Sequence, residues 1–193
     1  MEGEVILKIL VVIPYRPADE ELAMKAKQIH EIRAGIECEV IAFPDTDGLG
    51  WPGVHNKVVK EKEWDYYCYS CADYFPGRNY LKNAIEVLKE YKRGLLAFND
   101  GKWHGKIATA GVITREFYGT VYPDGNLFWP IYKSHYADTE LSIIAYFENQ
   151  LIYDPEIVLI EVDYEKEDKL VDPKDQIIYK IREKEILAKY GKI

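Results

Sequence analysis

Apolar and polar positions fall into blocks along the chain, and the spacing within each block predicts an element. Residues 5–13 (Val-Ile-Leu-Lys-Ile-Leu-Val-Val-Ile) are a nearly unbroken apolar, β-branched run, the pattern of a strand covered on both faces. Pro17 then opens a helical stretch with Leu22, Ala26, Ile29 and Ile32 on one face, and Gly35 stops it. Residues 36–43 read as a second strand, followed by a loop containing Pro44, Asp45, Asp47, Gly48, Gly50, Pro52 and Gly53. Residues 54–63 predict a polar helix, 65–71 an aromatic strand, and 78–92 an amphipathic helix carrying Leu81, Ile85 and Leu88. A β-α-β-α-β-α order predicts a mostly parallel sheet with right-handed crossovers.

The pattern changes after residue 93. Residues 94–99 and 106–113 read as strands joined by Asp100-Gly101-Lys102, so a hairpin is expected. Residues 114–136 read as irregular and aromatic. Asp138 is placed to cap a helix over 139–149. Residues 156–163 predict a last strand, and 174–190 a final helix with Ile177, Ile181, Leu187 and Tyr190 along it. No repeat, low-complexity stretch or linker interrupts the chain. The expectation is one α/β domain over residues 1–193, a central sheet flanked by helices.

Composition narrows the partners. Hydrophobic residues make up 48% and charged residues 30% of the chain, a globular balance. With 33 acidic against 25 basic side chains the net charge is -8, a field that repels nucleic-acid backbones. A short anionic ligand would need a metal or local cations beside it. The first residues lack the cationic start and cleavage site of a secretory signal, and the apolar run is too short to span a bilayer, so a cytoplasmic location is expected. Three cysteines do not suggest a disulfide framework.

In open parallel sheets ligands sit beyond the carboxyl ends of the strands. Those ends hold Pro14-Tyr15-Arg16, Pro44-Asp45-Thr46-Asp47 and Ala72-Asp73. Asp73 suits a site for Mg²⁺ or Mn²⁺ bound with a nucleotide, where one or two protein carboxylates suffice; a turn or cap is the ordinary use of such a residue. Asp45 and Asp47 can accept hydrogen bonds from a base or ribose, or simply shape an Asp-rich turn. Gly48-Leu49-Gly50-Trp51-Pro52-Gly53 matches the spacing of a dinucleotide-binding loop. It follows the second strand at a distance and behind two acids that would face a pyrophosphate. A nicotinamide-dependent oxidoreductase is therefore the second reading, and a mobile glycine-rich loop the first. Cys68 and Cys71 form a C-x-x-C within a strand, on opposite faces, which reads as buried thiols rather than a redox motif. The four histidines show no partnered metal-ligand spacing. Asp138 lies in Ser-His-Tyr-Ala-Asp-Thr-Glu (134–140), where a carboxylate can act as a general base beside the aromatics at 128–132. The lysines of the final helix suit a solvated face, with weak contact to a membrane or partner as the alternative.

Taken in order, Ile-Pro-Tyr-Arg (13–16), the acidic turn at 45–47, Gly-Val-His-Asn-Lys (53–57), Cys-Ala-Asp (71–73) and Ala-Asp-Thr-Glu-Leu (137–141) resemble the family-2-like glycosyltransferases of the GT-A fold. The small members from phages and archaeal viruses are the most similar. The resemblance covers about residues 8–150. It implies a nucleotide-binding half over about 1–100, an acceptor and catalytic half over about 101–165, and a C-terminal helix over about 174–190. It implies that Pro14, Tyr15 and Arg16 pack around the base and ribose, that Asp45 hydrogen-bonds the base, and that Asn56 and Lys57 lie near the nucleotide. Ala72 and Asp73 match the end of the Asp-x-Asp motif, with Asp73 on a divalent cation, Mn²⁺ or Mg²⁺. Asp138 matches the catalytic base of inverting members. The donor would be a nucleotide-diphosphate sugar and the acceptor a glycan or protein hydroxyl. Cys71 replaces the first aspartate of Asp-x-Asp, Ala137 replaces the glutamate before Asp138, and no Gln-x-x-Arg-Trp follows. The last departure argues against a processive synthase, and the first two leave room for a non-catalytic binding module. A nucleotidyltransferase would need a basic triphosphate loop, and none is seen.

Overall fold

In the computed structural model, which describes residues 7–162 and 171–191, the first apolar run becomes β1 (Ile9–Tyr15), buried from Ile9 to Pro14. It pairs in parallel with β2 (Glu39–Pro44) on one side and β3 (Tyr66–Tyr69) on the other. Leu10 and Val12 face one core, while Ile9, Val11 and Ile13 face a second, so the strand needs apolar side chains on both sides. The intervening helices are α1 (Glu20–Arg33), entered through a short 3-10 turn at Pro17–Asp19, and α2 (Gly50–Glu61). Next come β4 (Tyr74–Pro76), α3 (Tyr80–Tyr91), β5 (Leu95–Asn99), β6 (Gly111–Thr114), α4 (Arg115–Val121), α5 (Ala137–Phe147), β7 (Leu151–Glu161) and α6 (Pro173–Tyr190). The sheet runs β2-β1-β3-β6-β5-β7-β4. β6 is antiparallel to both β3 and β5, β4 is antiparallel to β7, and β5 and β7 are parallel. The result is a mixed sheet with helices on both faces.

Several elements differ from the sequence reading. α1 buries Ala23, Ala26 and His30, whereas the larger Leu22 and Ile32 face out. Small side chains let this helix lie close to the sheet. α2 begins at Gly50, before the expected start at 54, so Trp51-Pro52-Gly53 form its first turn. β5 and β6 do pair antiparallel, but residues 100–110 make a long excursion rather than a tight turn. Residues 115–121 are helical because Thr114 accepts the Phe117 N–H at 3.2 Å and caps them. Asp138 is not a cap: it lies inside the first turn of α5, after Tyr136 in the left-handed region at φ 66°.

α6 keeps only Tyr190 of its expected face inward. Ile177 and Ile181 are exposed, and the helix docks through Asp175, Ile178, Tyr179, Arg182, Ile186 and Tyr190. Two polar anchors account for this. Asp175, buried, accepts the Ser134 and His135 N–H groups at 2.8 Å and that of Lys133 at 3.2 Å. Glu140, fully buried on α5, accepts from Tyr122 Oη (2.8 Å), Tyr132 Oη (2.9 Å) and the Arg182 guanidinium (2.8 Å). Buried polar groups with this many partners fix a single docking geometry.

Candidate functional site

Parallel pairing brings the carboxyl ends of β1, β2 and β3 together. Asp45 N donates to Tyr15 O at 2.7 Å, and Ser70 N donates to Val12 O at 3.1 Å. Tyr15, Arg16, Asp45 and the segment 70–73 therefore share one end of the sheet. Pro14 is buried, Tyr15 is half-buried, and Arg16 extends outward against Asp19 at 2.7 Å. Asp45 accepts the N–H groups of Leu49 (2.7 Å) and Gly50 (2.8 Å), which fixes the entry to α2. Gly50 has φ 76°, and a Cβ there would meet Lys133 O at 2.0 Å. Trp51 Nε1 donates to Ser134 O beside it. The close approach that glycine permits is thus used against residues 133–134 of the same chain. In the loop on which the oxidoreductase reading rested, Gly50 and Trp51 are committed to contacts within the chain.

The resemblance placed Asn56 and Lys57 near the nucleotide, and the structure gives both partners within the protein. Asn56, buried, donates from Nδ2 to Phe128 O at 2.9 Å and accepts from Leu127 N and Phe128 N at 2.8 Å each. Lys57 is half-exposed, 3.7 Å from Asp47 and 5.5 Å from the Phe43 ring centre. Cys68 is buried in β3 and Cys71 lies past its end, and burial pushes the Cys68 thiol well up, so it is not a reactive thiolate.

Asp73 is 6% exposed, in the turn between β3 and β4. Two buried histidines hold that turn. His55, on α2, meets Tyr67 Oη at 2.9 Å through Nδ1 and Ser70 O at 3.3 Å through Nε2. His30, on α1, bonds Tyr80 Oη at 2.5 Å and also makes a backbone hydrogen bond with Tyr74. Residues 70–74 are therefore held from both faces of the sheet. Burial pushes His55 down to about 3 and His30 down to about 4, so both rings are neutral in the folded protein. An unfolded histidine titrates near 6.5, so their contribution is complete above that pH and is lost as the pH falls toward 4. Each is expected to lose about 2 kcal/mol between pH 6.5 and 5. Asp138, whose folded pKa is raised, acts in the opposite sense and returns about 1 kcal/mol over the same range. Urea unfolding should show a net loss of roughly 3 kcal/mol between pH 7 and 5. An unchanged midpoint would refute neutral burial of the histidine pair.

Asp138 is close enough for its charge to act on Tyr69 and Tyr74, on either side of this turn. A hydrogen-bond chain leads to it from β3: Tyr69 Oη to Ala108 O at 2.7 Å, Ala108 N to Ser142 Oγ at 2.8 Å, and Ser142 Oγ to Asp138 O at 2.6 Å. Asp138 Oδ1 accepts from Thr139 N at 2.8 Å and from Thr139 Oγ1 at 3.4 Å, and the carboxyl also accepts from its own backbone N–H. The residue keeps partial solvent access, yet its carboxyl lies deep among protein atoms. Burial pushes it up to about 6, the Thr139 N–H opposes this, and the charge of Asp100 adds a smaller upward push. Asp100 is itself held by Lys102 N (2.9 Å), Trp103 N (2.8 Å) and Thr109 Oγ1 (2.9 Å). Thr109 also hydrogen-bonds Tyr74, the neighbour of Asp73, and the Asp138 charge reaches Tyr74 as well. Tyr74, Asp100, Thr109 and Asp138 thus form one cluster, with Asp73 next to it in the chain.

Asp100, Thr109 and Ser142 were not singled out from the sequence. Asp100-Gly101 looks like a turn, and only the long excursion after it makes the aspartate part of the site. Among the described residues, no three His, Cys, Asp or Glu side chains gather into a metal-ligand group. No helix there is long and apolar enough to cross a membrane.

The fold is GT-A-like. S. aureus TarS 1–349, solved with UDP-GlcNAc, superposes with a TM-score of 0.71 at 14% identity, over 94% of this chain and 67% of that one. The Pyrobaculum calidifontis mannosyltransferase PcManGT, solved with GDP-Man and Mn²⁺, gives 0.61 at 13% identity over 92% and 61%. A Drosophila galactosyltransferase 7, solved with manganese, UDP-Gal and xylobiose, gives 0.57 at 14% identity over 89% and 79%. The chain spans only 40% of another TarS structure, which has a TM-score of 0.68. No protein-family model matches the chain, and no curated protein matches it in sequence.

Proposed function

We propose that this domain binds a nucleotide-diphosphate sugar with a divalent cation and transfers the sugar, with inversion, to an acceptor hydroxyl. The observation that carries the reading is Asp138: a carboxylate that burial pushes up to about 6, clustered with Asp100, Thr109 and Tyr74 beside the turn that bears Asp73. The fold, shared with proteins solved with UDP-GlcNAc, GDP-Man and UDP-Gal, supports the donor class. The cation suits a site of one or two carboxylates, Asp73 among them, completed by the diphosphate rather than by a protein cage. When bound, it would neutralise charge developing on the leaving group. The chain's own residues do the rest. Tyr15 and Arg16 lie at the strand ends where the base and ribose would pack, and Asp45 sets the turn beside them. His30 and His55 hold the 70–74 turn in place. Asp138 takes the proton of the acceptor hydroxyl as its oxygen attacks the anomeric carbon. The Ala-Asp-Thr-Glu-Leu motif remains the basis for grouping the chain with small viral members of the family.

A thermal-shift panel of UDP- and GDP-sugars, with and without Mn²⁺, tests this. Mn²⁺ alone is expected to leave Tm unmoved. The cognate sugar nucleotide with Mn²⁺ should stabilise by about 2.7 kcal/mol at a hundred times its Kd. Asp73→Ala should keep the fold and remove the Mn²⁺-dependent increment. A panel in which no sugar nucleotide moves Tm, with or without Mn²⁺, would sink the proposal.

A further inference from the structure

A second feature of α5 bears on what the enzyme glycosylates. Asp138 and Thr139 share a helix face with Ser142, Ile143, Tyr146 and Phe147, since residues four apart stack along one side. That face continues into a cavity of about 580 Å³ between α5, α6, β7 and the 104–106 stretch. Its walls include Ile143, Tyr146, Phe147, Leu151 and Leu187. Tyr146 is 68% and Leu187 48% exposed, so apolar surface here is left to solvent. Of the lining residues on α5, Ser142 is the nearest to Asp138, about 6 Å along the helix from it, and its Oγ donates to Asp138 O. The volume suits a small organic group and is too small for a packed helix. His104, Lys106, Ser142 and Glu183 also line it and give a polar group partners, while an alkyl or aryl group would find the apolar walls a surface of its own kind.

We infer that the cavity seats the apolar aglycone of the acceptor, with the acceptor hydroxyl at Asp138. The acceptor class is therefore an amphipathic one, a hydroxyl-bearing sugar or alcohol carrying an alkyl or aryl group. This rests on the sugar-transfer reading and adds the acceptor class to it. Aglycone carbons lie away from the reacting oxygen, so they should tighten ground state and transition state alike, lowering KM and leaving kcat unchanged.

Methyl, butyl and hexyl β-glucosides, kept below micelle concentrations, serve as probes in two measurements. One is calorimetric binding without donor, and the other is transfer from the sugar nucleotide found in the thermal-shift panel. Kd and KM are expected to fall about fourfold per buried methylene, with kcat constant. Leu187→Glu, at a half-exposed position where folding is not at risk, should flatten both series, while Leu187→Met should retain them. A flat series alongside intact donor hydrolysis overturns the aglycone site and leaves sugar transfer standing. A graded binding series with no turnover of any sugar nucleotide removes the transfer reading, and the acceptor role with it.

Discussion

Asp138→Asn is expected to leave folding and donor binding intact and to lower transfer by about 10²- to 10⁴-fold. Asparagine matches aspartate in size and still offers an oxygen to the Thr139 N–H, which Asp138 Oδ1 accepts at 2.8 Å. What it lacks is a second oxygen able to take a proton. A base must be ionised to act, and Asp138 has its pKa raised to about 6, chiefly by burial. Transfer should therefore rise with pH through about 6 and level off above it, with the acidic limb lost in the variant. The Asp100 charge pushes the Asp138 pKa up, so Asp100→Asn should move that limb to lower pH. A rate profile flat from pH 5 to 8, or an Asp138→Asn variant within twofold of the parent, would remove the base assignment. Thermal shift with the donor separates loss of chemistry from loss of binding.

Much of this arrangement can be read along the chain, and what cannot has a common cause. β1, α3 and β3 were legible because their signals are local: an apolar run, a 3.6-residue period, an aromatic run at the strand end. Asp73 and Asp138 stood out in the sequence through motif resemblance, and periodicity made Asp138 a cap rather than a first-turn residue. The partners that shape the site come from far away in sequence. Ser142 joins Asp138 to Ala108, and His30 reaches Tyr74 from another helix, with no local mark on either. The face of α6 was misread because its apolar spacing fits two sides of the helix. Asp175 and Arg182 decide between them, through contacts 42 or so residues away. One sequence signal did exist: Glu140 lies among Ala137, Leu141, Ile144 and Ala145, all buried, and a charge on a buried face calls for a partner.

Glu140→Ala is expected to destabilise the domain by about 3–5 kcal/mol, the cost of breaking a buried ion pair by removing one member. Glu140 is 0% exposed and holds three groups at once: the hydroxyls of Tyr122 (2.8 Å) and Tyr132 (2.9 Å) and the Arg182 guanidinium (2.8 Å). Truncation strands two buried hydroxyls and leaves a cation against the Trp129 ring, 3.6 Å from its centre. The pair need not add net stability over an apolar replacement, so Glu140→Leu combined with Arg182→Met should recover much of the loss. A double-mutant cycle by urea unfolding reads this as a coupling energy. Function adds a second readout. Tyr132 and Trp129 belong to the segment that leads into α5, and Asp175 of α6 holds residues 133–135 of that segment. Loosening the clamp should let Asp138 wander from the acceptor. Transfer by Glu140→Ala, measured where the variant is still fully folded, should then fall while donor binding persists. Additive single losses in the cycle, with unchanged transfer in the folded variant, would show that α6 is only packed against the site and does not position it.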